Sequence, residues 1–183
     1  MGWTAPGDVP RFAVDPTPEV ADVDATKLLK EQHDEVKALF QRYQAAKESE
    51  QKLECFEEIA DAFAAHGEIE EKIFYPAVYV GQLQEKLREA VEEHLAAKRV
   101  LADLLDLEPS DEQFDAKMKV LEELIEHHVQ EEESELFPAV RKNFAREELE
   151  ALGEQMETLF EQLQQDDPRE AIPGETEQAP PLG

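Results

Sequence analysis

The 183-residue chain has one cysteine, Cys55, so it can form neither an intramolecular disulfide nor a cysteine-held zinc or iron–sulfur site. Cys55 sits on an expected helix and reads as a small buried hydrophobe rather than a reactive thiol. No apolar run approaches the roughly 20 residues that span a bilayer. The N-terminus lacks the basic and apolar regions of a signal peptide, and Pro6 stands where N-myristoylation of Gly2 needs Ser or Thr. Basic residues are scarce as well: 18 Lys and Arg against 45 Asp and Glu leave a net charge of −27. Such a charge repels nucleic acid and anionic membranes, so neither is expected as a partner. These absences predict a soluble, cytoplasmic protein. Most of the acidic residues read as solvated helix faces and by themselves say little about metal.

Runs of β-branched residues are also missing, and almost everything between the proline-rich ends is helix-forming. Residues 1–23 and 166–183 are acidic, rich in Pro and poor in apolar side chains, and read as flexible tails, with Trp3 and Phe12 as exceptions suited to tucking onto the domain surface. Between them, 24–144 reads as an up-down-up-down four-helix bundle and 145–165 as a covering helix with Leu149, Leu152, Met156, Leu159 and Phe160 on one side. The expected starts are Asp24 as an N-cap, a site near Ser49, one near Gln82, and Ser110 in a capping-box pattern with Gln113.

What the chain does contain is a repeat. His66-Gly67-Glu68-Ile69-Glu70-Glu71, then an aromatic and Pro76-Ala77-Val78, returns as His128-Val129-Gln130-Glu131-Glu132-Glu133, an aromatic and Pro138-Ala139-Val140. A His and a Glu four apart share one helix face, where both can bind one metal ion. The apolar stripes run through these pairs: Phe56, Ile59, Phe63, His66, Glu70 on the second helix, and Met118, Leu121, Ile125, His128, Glu132 on the fourth. The other two helices carry one seam histidine each, His33 and His94. His33 and His94 lie 61 residues apart, and His66 and His128 lie 62 apart, so a helical hairpin is duplicated. A seam Glu without a partner would cost several kcal/mol. Six polar groups converging in a small bundle are therefore expected to share a metal: His33, His66, Glu70, His94, His128 and Glu132. Four imidazoles and two carboxylates without thiolate suit iron or manganese and would also accept zinc. Bridging by both glutamates would give each of two metals two nitrogens and two oxygens, leaving room for a solvent bridge and a small exogenous ligand.

The stripe and the repeat choose His128 with Glu132 over the alternative pair His127 and Glu131, leaving His127 outside the ligand set. Glu71 and Glu133 read as facing solvent or neighbouring helices. Gly67 either makes room beside His66 or eases helix packing.

These residues resemble the bacterial hemerythrin-like family, the HHE cation-binding domains. The match lies in Gln32-His33-Asp34, in His66-x3-Glu70-Glu71-x4-Pro76, in Glu93-His94, and in His127-His128-x3-Glu132-Glu133-x4-Pro138, spanning about Asp24 to Phe144. The resemblance implies a non-haem di-iron centre, oxo- or hydroxo-bridged, that reacts with O2, NO or peroxide as a small partner. Oxygen-carrying hemerythrins supply two histidines four apart from the third helix, whereas Lys98 stands four after His94 here. This set is closer to hemerythrin-like sensors and iron-centre repair proteins. Lys98 either turns aside or offers its ammonium to a bound anion. None of the five histidines has a Glu three residues before it, which excludes the E-x-x-H pattern of ferritin-like di-iron proteins.

The expected function is binding or sensing of O2, NO or peroxide without an organic substrate. Two alternatives stand beside it. One is a di-iron oxidoreductase acting on peroxide or NO, with Tyr43 or Tyr75 as a redox-active phenol, although Tyr75 matches Phe137 in the repeat and is equally explained as packing. The other is iron storage or donation.

Overall fold

A computed structural model describes residues 24–182; Trp3, Phe12 and the rest of the N-terminal tail lie outside it. Helix α1 (Ala25–Ala45) starts where expected, because the Asp24 carboxylate accepts the Thr26 N–H at 2.8 Å. Helix α2 (Ser49–Ile69) continues through a π-helical turn (Glu70–Phe74) into a last α-turn (Tyr75–Val78). Gly81, at φ 49°, makes the left-handed step into helix α3 (Gln84–Leu105). Helix α4 (Phe114–Glu131) likewise passes through a π turn (Glu132–Leu136) into Phe137–Asn143. Helix α5 (Arg146–Leu163) begins with the Ala145 N–H donated to the Glu148 carboxylate at 2.8 Å, and packs on α1 and α2.

The topology can be followed in the core. Two buried apolar clusters occupy the two ends of the bundle, and the seam histidines lie between them. Along α1 and α3 the chain leaves the first cluster (Leu29; Val91), passes His33 or His94, and enters the second (Val36, Phe40; Leu101). Along α2 and α4 the order reverses, from Phe63 or Ile125 through His66 or His128 to Ile69 or Leu136. This alternation is the up-down-up-down bundle, all-α, with no strand among the described residues.

Two sequence expectations are corrected. Ser110 does not cap α4. Asp111 accepts the Gln113 N–H at 2.8 Å, and the helix starts at Phe114, whose fully buried ring meets Phe56 edge-on at 5.4 Å. The apolar seam decides the start, and the turn chemistry adjusts to it. Within the segment expected as a flexible C-terminal tail, Pro168–Glu175 forms a 3-10 stretch packed on α2 and α3. Its anchor is Ile172, 1 % exposed and part of the second cluster. One well-placed isoleucine outweighs an acidic, Pro-rich composition.

Candidate metal centre

The polar layer collects the six side chains that the seams predict. His33, His66, Glu70, His94, His128 and Glu132 are all buried. His66 Nε2 lies 3.1 Å from Glu70 Oε2, and His94 Nε2 lies 3.2 Å from the same oxygen. His33 Nε2 and His128 Nε2 lie 3.3 and 3.5 Å from Glu132 Oε2. One donor atom each from His33, His66, Glu70 and Glu132 falls within 4.8 Å of the others, and Glu70, His94 and His128 form a second such group. Glu70 belongs to both, so the layer holds two adjoining groups with a shared carboxylate.

Each imidazole is oriented from behind. His33 Nδ1 lies 3.1 Å from Glu133, His66 Nδ1 2.8 Å from Gln32 Oε1, His94 Nδ1 2.9 Å from Glu71 and His128 Nδ1 2.8 Å from Glu93. A carboxylate or amide oxygen only accepts, so each Nδ1 is the donor and each Nε2 turns its lone pair inward. This outward tether is the arrangement that metal-binding histidines use.

Several of the inward-facing atoms make no hydrogen bond. His33 Nε2, His66 Nε2, Glu70 Oε1 and Glu132 Oε2 are buried without a hydrogen bond, and His94 Nε2 faces His128 Nε2 at 3.0 Å. Two imidazole lone pairs at that separation need a proton or a cation between them. Protons meet part of the need. Burial lowers His94, but Glu70 and Glu71 more than offset it and raise it to about 9. Burial also lowers His33, again outweighed by its glutamates, so it lies above its ordinary value, whereas at His66 burial prevails and the ring is held below. Burial pushes Glu70 up, yet His66 and His94 hold it well below the carboxylate range. Electron-pair donors of this kind, orphaned and inward-facing, fit one or more metal cations.

The π turns add a residue that periodicity does not place. Five residues along an α-helix end about 140° past a full turn, which would point Tyr75 away from Glu70. The wider turn returns it, and the Tyr75 hydroxyl lies 3.1 Å from Glu70 Oε2 and 3.0 Å from Glu132 Oε1, in position to donate to either. Burial and the two carboxylates hold this phenol well above its ordinary pKa, so it stays protonated. Its repeat counterpart, Phe137, instead stacks on His33 at 5.8 Å. Tyr43 donates to Asp115 at the far end of α1, ten residues from His33 and so about 15 Å away along the helix.

His127 is exposed, 62 % at its side chain, and forms a third, surface group with Glu93 and Glu131, whereas His128 and Glu132 are buried. Lys98 turns aside to Glu71 at 2.8 Å. Glu71 and Glu133, read as facing solvent or other helices, are the outer tethers of His94 and His33. Their signal was in the repeat, which duplicates the second Glu as faithfully as the first. Tyr75 left no such signal, because its counterpart is Phe. A Cβ on Gly67 would meet His94 at 3.6–3.7 Å, so the glycine borders His94 rather than His66.

A helical bundle with buried, outward-tethered histidines and glutamates around a gap in its hydrogen bonding defines a cation-binding bundle protein. The hemerythrin HHE cation-binding domain model matches residues 24–140, and the chain belongs to that family. A crystal structure of a hemerythrin HHE cation-binding-domain protein from Mycobacterium kansasii superposes with a TM-score of 0.71 at 29 % identity, covering 78 % of this chain and 88 % of that one. A curated relative from Nostoc sp., named DNA nickase, is 28 % identical over 144 residues, 79 % of this chain. The present chain spans only 41 % of that relative's length.

Proposed function

We propose that this protein is a non-haem di-iron protein that binds or senses O2, NO or peroxide, with His33, His66, Glu70, His94, His128 and Glu132 as its metal ligands. The observation that carries the reading is the set of inward, partnerless Nε2 and carboxylate atoms backed by four Nδ1 tethers. His33 and His66 would serve one iron, His94 and His128 the other, with Glu70 shared and Glu132 between His33 and His128. Iron so held supplies redox chemistry toward small oxygen and nitrogen species.

The surrounding residues favour a small ligand. A cavity of about 20 Å3 adjoins His33, His66 and His128 and is walled by Val36, Phe63 and Ile125. That space admits roughly one water-sized molecule, which suits a diatomic ligand. The net charge of −27 argues against a polyanionic partner, so the nicking activity named for the Nostoc relative is not carried over. Optical spectra of the iron-loaded protein, reduced and then exposed to O2, NO or peroxide, test the reading. Spectral changes with at least one of these ligands, lost in His66→Ala, are expected; an unchanged spectrum with all three contradicts it.

A second reading, a peroxide- or NO-consuming oxidoreductase at the same centre, is favoured by Tyr75. Its protonated hydroxyl reaches both glutamates and holds a proton between the two carboxylates. Multiple turnovers that Tyr75→Phe slows would support catalysis; a single stoichiometric reaction would leave binding or sensing as the function.

A further inference from the structure

Two of the outer carboxylates are themselves paired with a lysine. Glu133 meets Lys30 at 3.2 Å on the surface, where the lysine side chain is 48 % exposed. Glu71 meets Lys98 at 2.8 Å, with both side chains nearly sealed from solvent. A buried ammonium is costly unless several acceptors surround it. Lys98 finds its second acceptor in Glu175, also at 2.8 Å, from the 3-10 segment Pro168–Glu175.

That segment is fixed by contacts of its own. Ile172 sits in the core, Arg169 pairs with Asp61, and Arg99 donates to the carbonyls of Thr176 and Glu177 at 3.0 and 3.3 Å. Glu175 therefore arrives at Lys98 on an anchored piece of chain. An unbroken series of contacts then leads inward from Glu175 through Lys98 and Glu71 to His94 Nδ1. Beside it lies a solvent-connected cavity of about 400 Å3, lined in part by Glu71, Lys98 and Glu175. A Glu71 released from Lys98 has room to swing there and leave His94.

We propose that Lys98 and Glu175 are positioning residues for metal binding: they pin Glu71 onto His94, so that the C-terminal segment sets how firmly one half of the centre holds its ion. The inference rests on the reading of His94 as a ligand. It also gives Lys98 a role in the place where oxygen-carrying hemerythrins have a further histidine.

Co2+ titration of the full chain in competition with a chelator tests it, together with the proton NMR spectrum of the Co2+ form. Tethered imidazoles should give four hyperfine-shifted, solvent-exchangeable Nδ1–H resonances. In Lys98→Met and Glu175→Ala, Co2+ affinity for one site should fall about 10-fold. One of the four protons should also exchange faster than the rest, and Lys98→Arg should restore both properties. Glu175 is 40 % exposed at its side chain, so its variant keeps the test valid if Lys98→Met folds poorly. Wild-type affinity with an unchanged four-proton pattern in both variants overturns the inference alone. A wild-type protein that takes up no Co2+ overturns the metal centre and this inference with it.

Discussion

At the scale of single residues, the centre is a problem of unpaired electron pairs. Each imidazole donates outward from Nδ1 and faces inward with an Nε2 that no protein group fully satisfies. In the metal-free protein, protons answer part of that demand, and pH should expose the substitution. His94, raised to about 9 from an ordinary 6.5, contributes stability that is fully present below pH 6.5 and is lost as pH rises toward 9. Glu70, held well below its ordinary 4.5, contributes stability present above that value and lost as pH falls. The melting temperature of the metal-free protein should therefore decline between pH 6.5 and 9, while the metal-loaded protein shows no such decline; a thermal scan at several pH values checks both. Gly67 provides a second expectation. A methyl there makes only ordinary contact with His94, and the helix gains relative to glycine. Gly67→Ala should stabilise the fold by about 0.5–1 kcal/mol in chemical denaturation.

At the scale of elements, the helices and their seams were legible because burial of one apolar stripe dictates them. His33, His66, His94 and His128 interrupt those stripes at one level, so the polar layer is legible in the sequence pattern itself. The two π turns are not, since 3.6-residue periodicity has no term for an extra residue. Their trace is Pro76 and Pro138, six residues after each seam Glu, where a missing N–H and the ring's bulk disfavour a regular α-turn. The turn moves Tyr75 onto the glutamates, a consequence that only the three-dimensional fold reveals. The 3-10 segment was hidden for another reason: its composition is that of a tail, and its order depends on Ile172 reaching a pocket formed by distant helices. Replacing Ile172 by Ala should cost about 2–4 kcal/mol. Hydrogen exchange should then show loosening concentrated in Pro168–Glu175 rather than spread through α1.

At the scale of the whole molecule, two apolar clusters enclose a polar layer that they could have replaced with leucine at lower electrostatic cost. A bundle stabilised from both ends can tolerate such a layer, and the duplicated hairpin supplies it with near two-fold balance. The symmetry breaks at Tyr75 against Phe137, and at Glu71, paired with the buried Lys98, against Glu133, paired with the exposed Lys30. These differences make the two halves of the centre unequal. On the function proposed above, the layer holds two iron ions per chain, one mainly by His33 and His66 and one mainly by His94 and His128. Native mass spectrometry of the iron-loaded protein measures this directly. Two irons are expected in the wild type and one in His94→Ala; a folded wild type that carries no iron, or a His94→Ala protein that retains two, would rule the di-iron centre out.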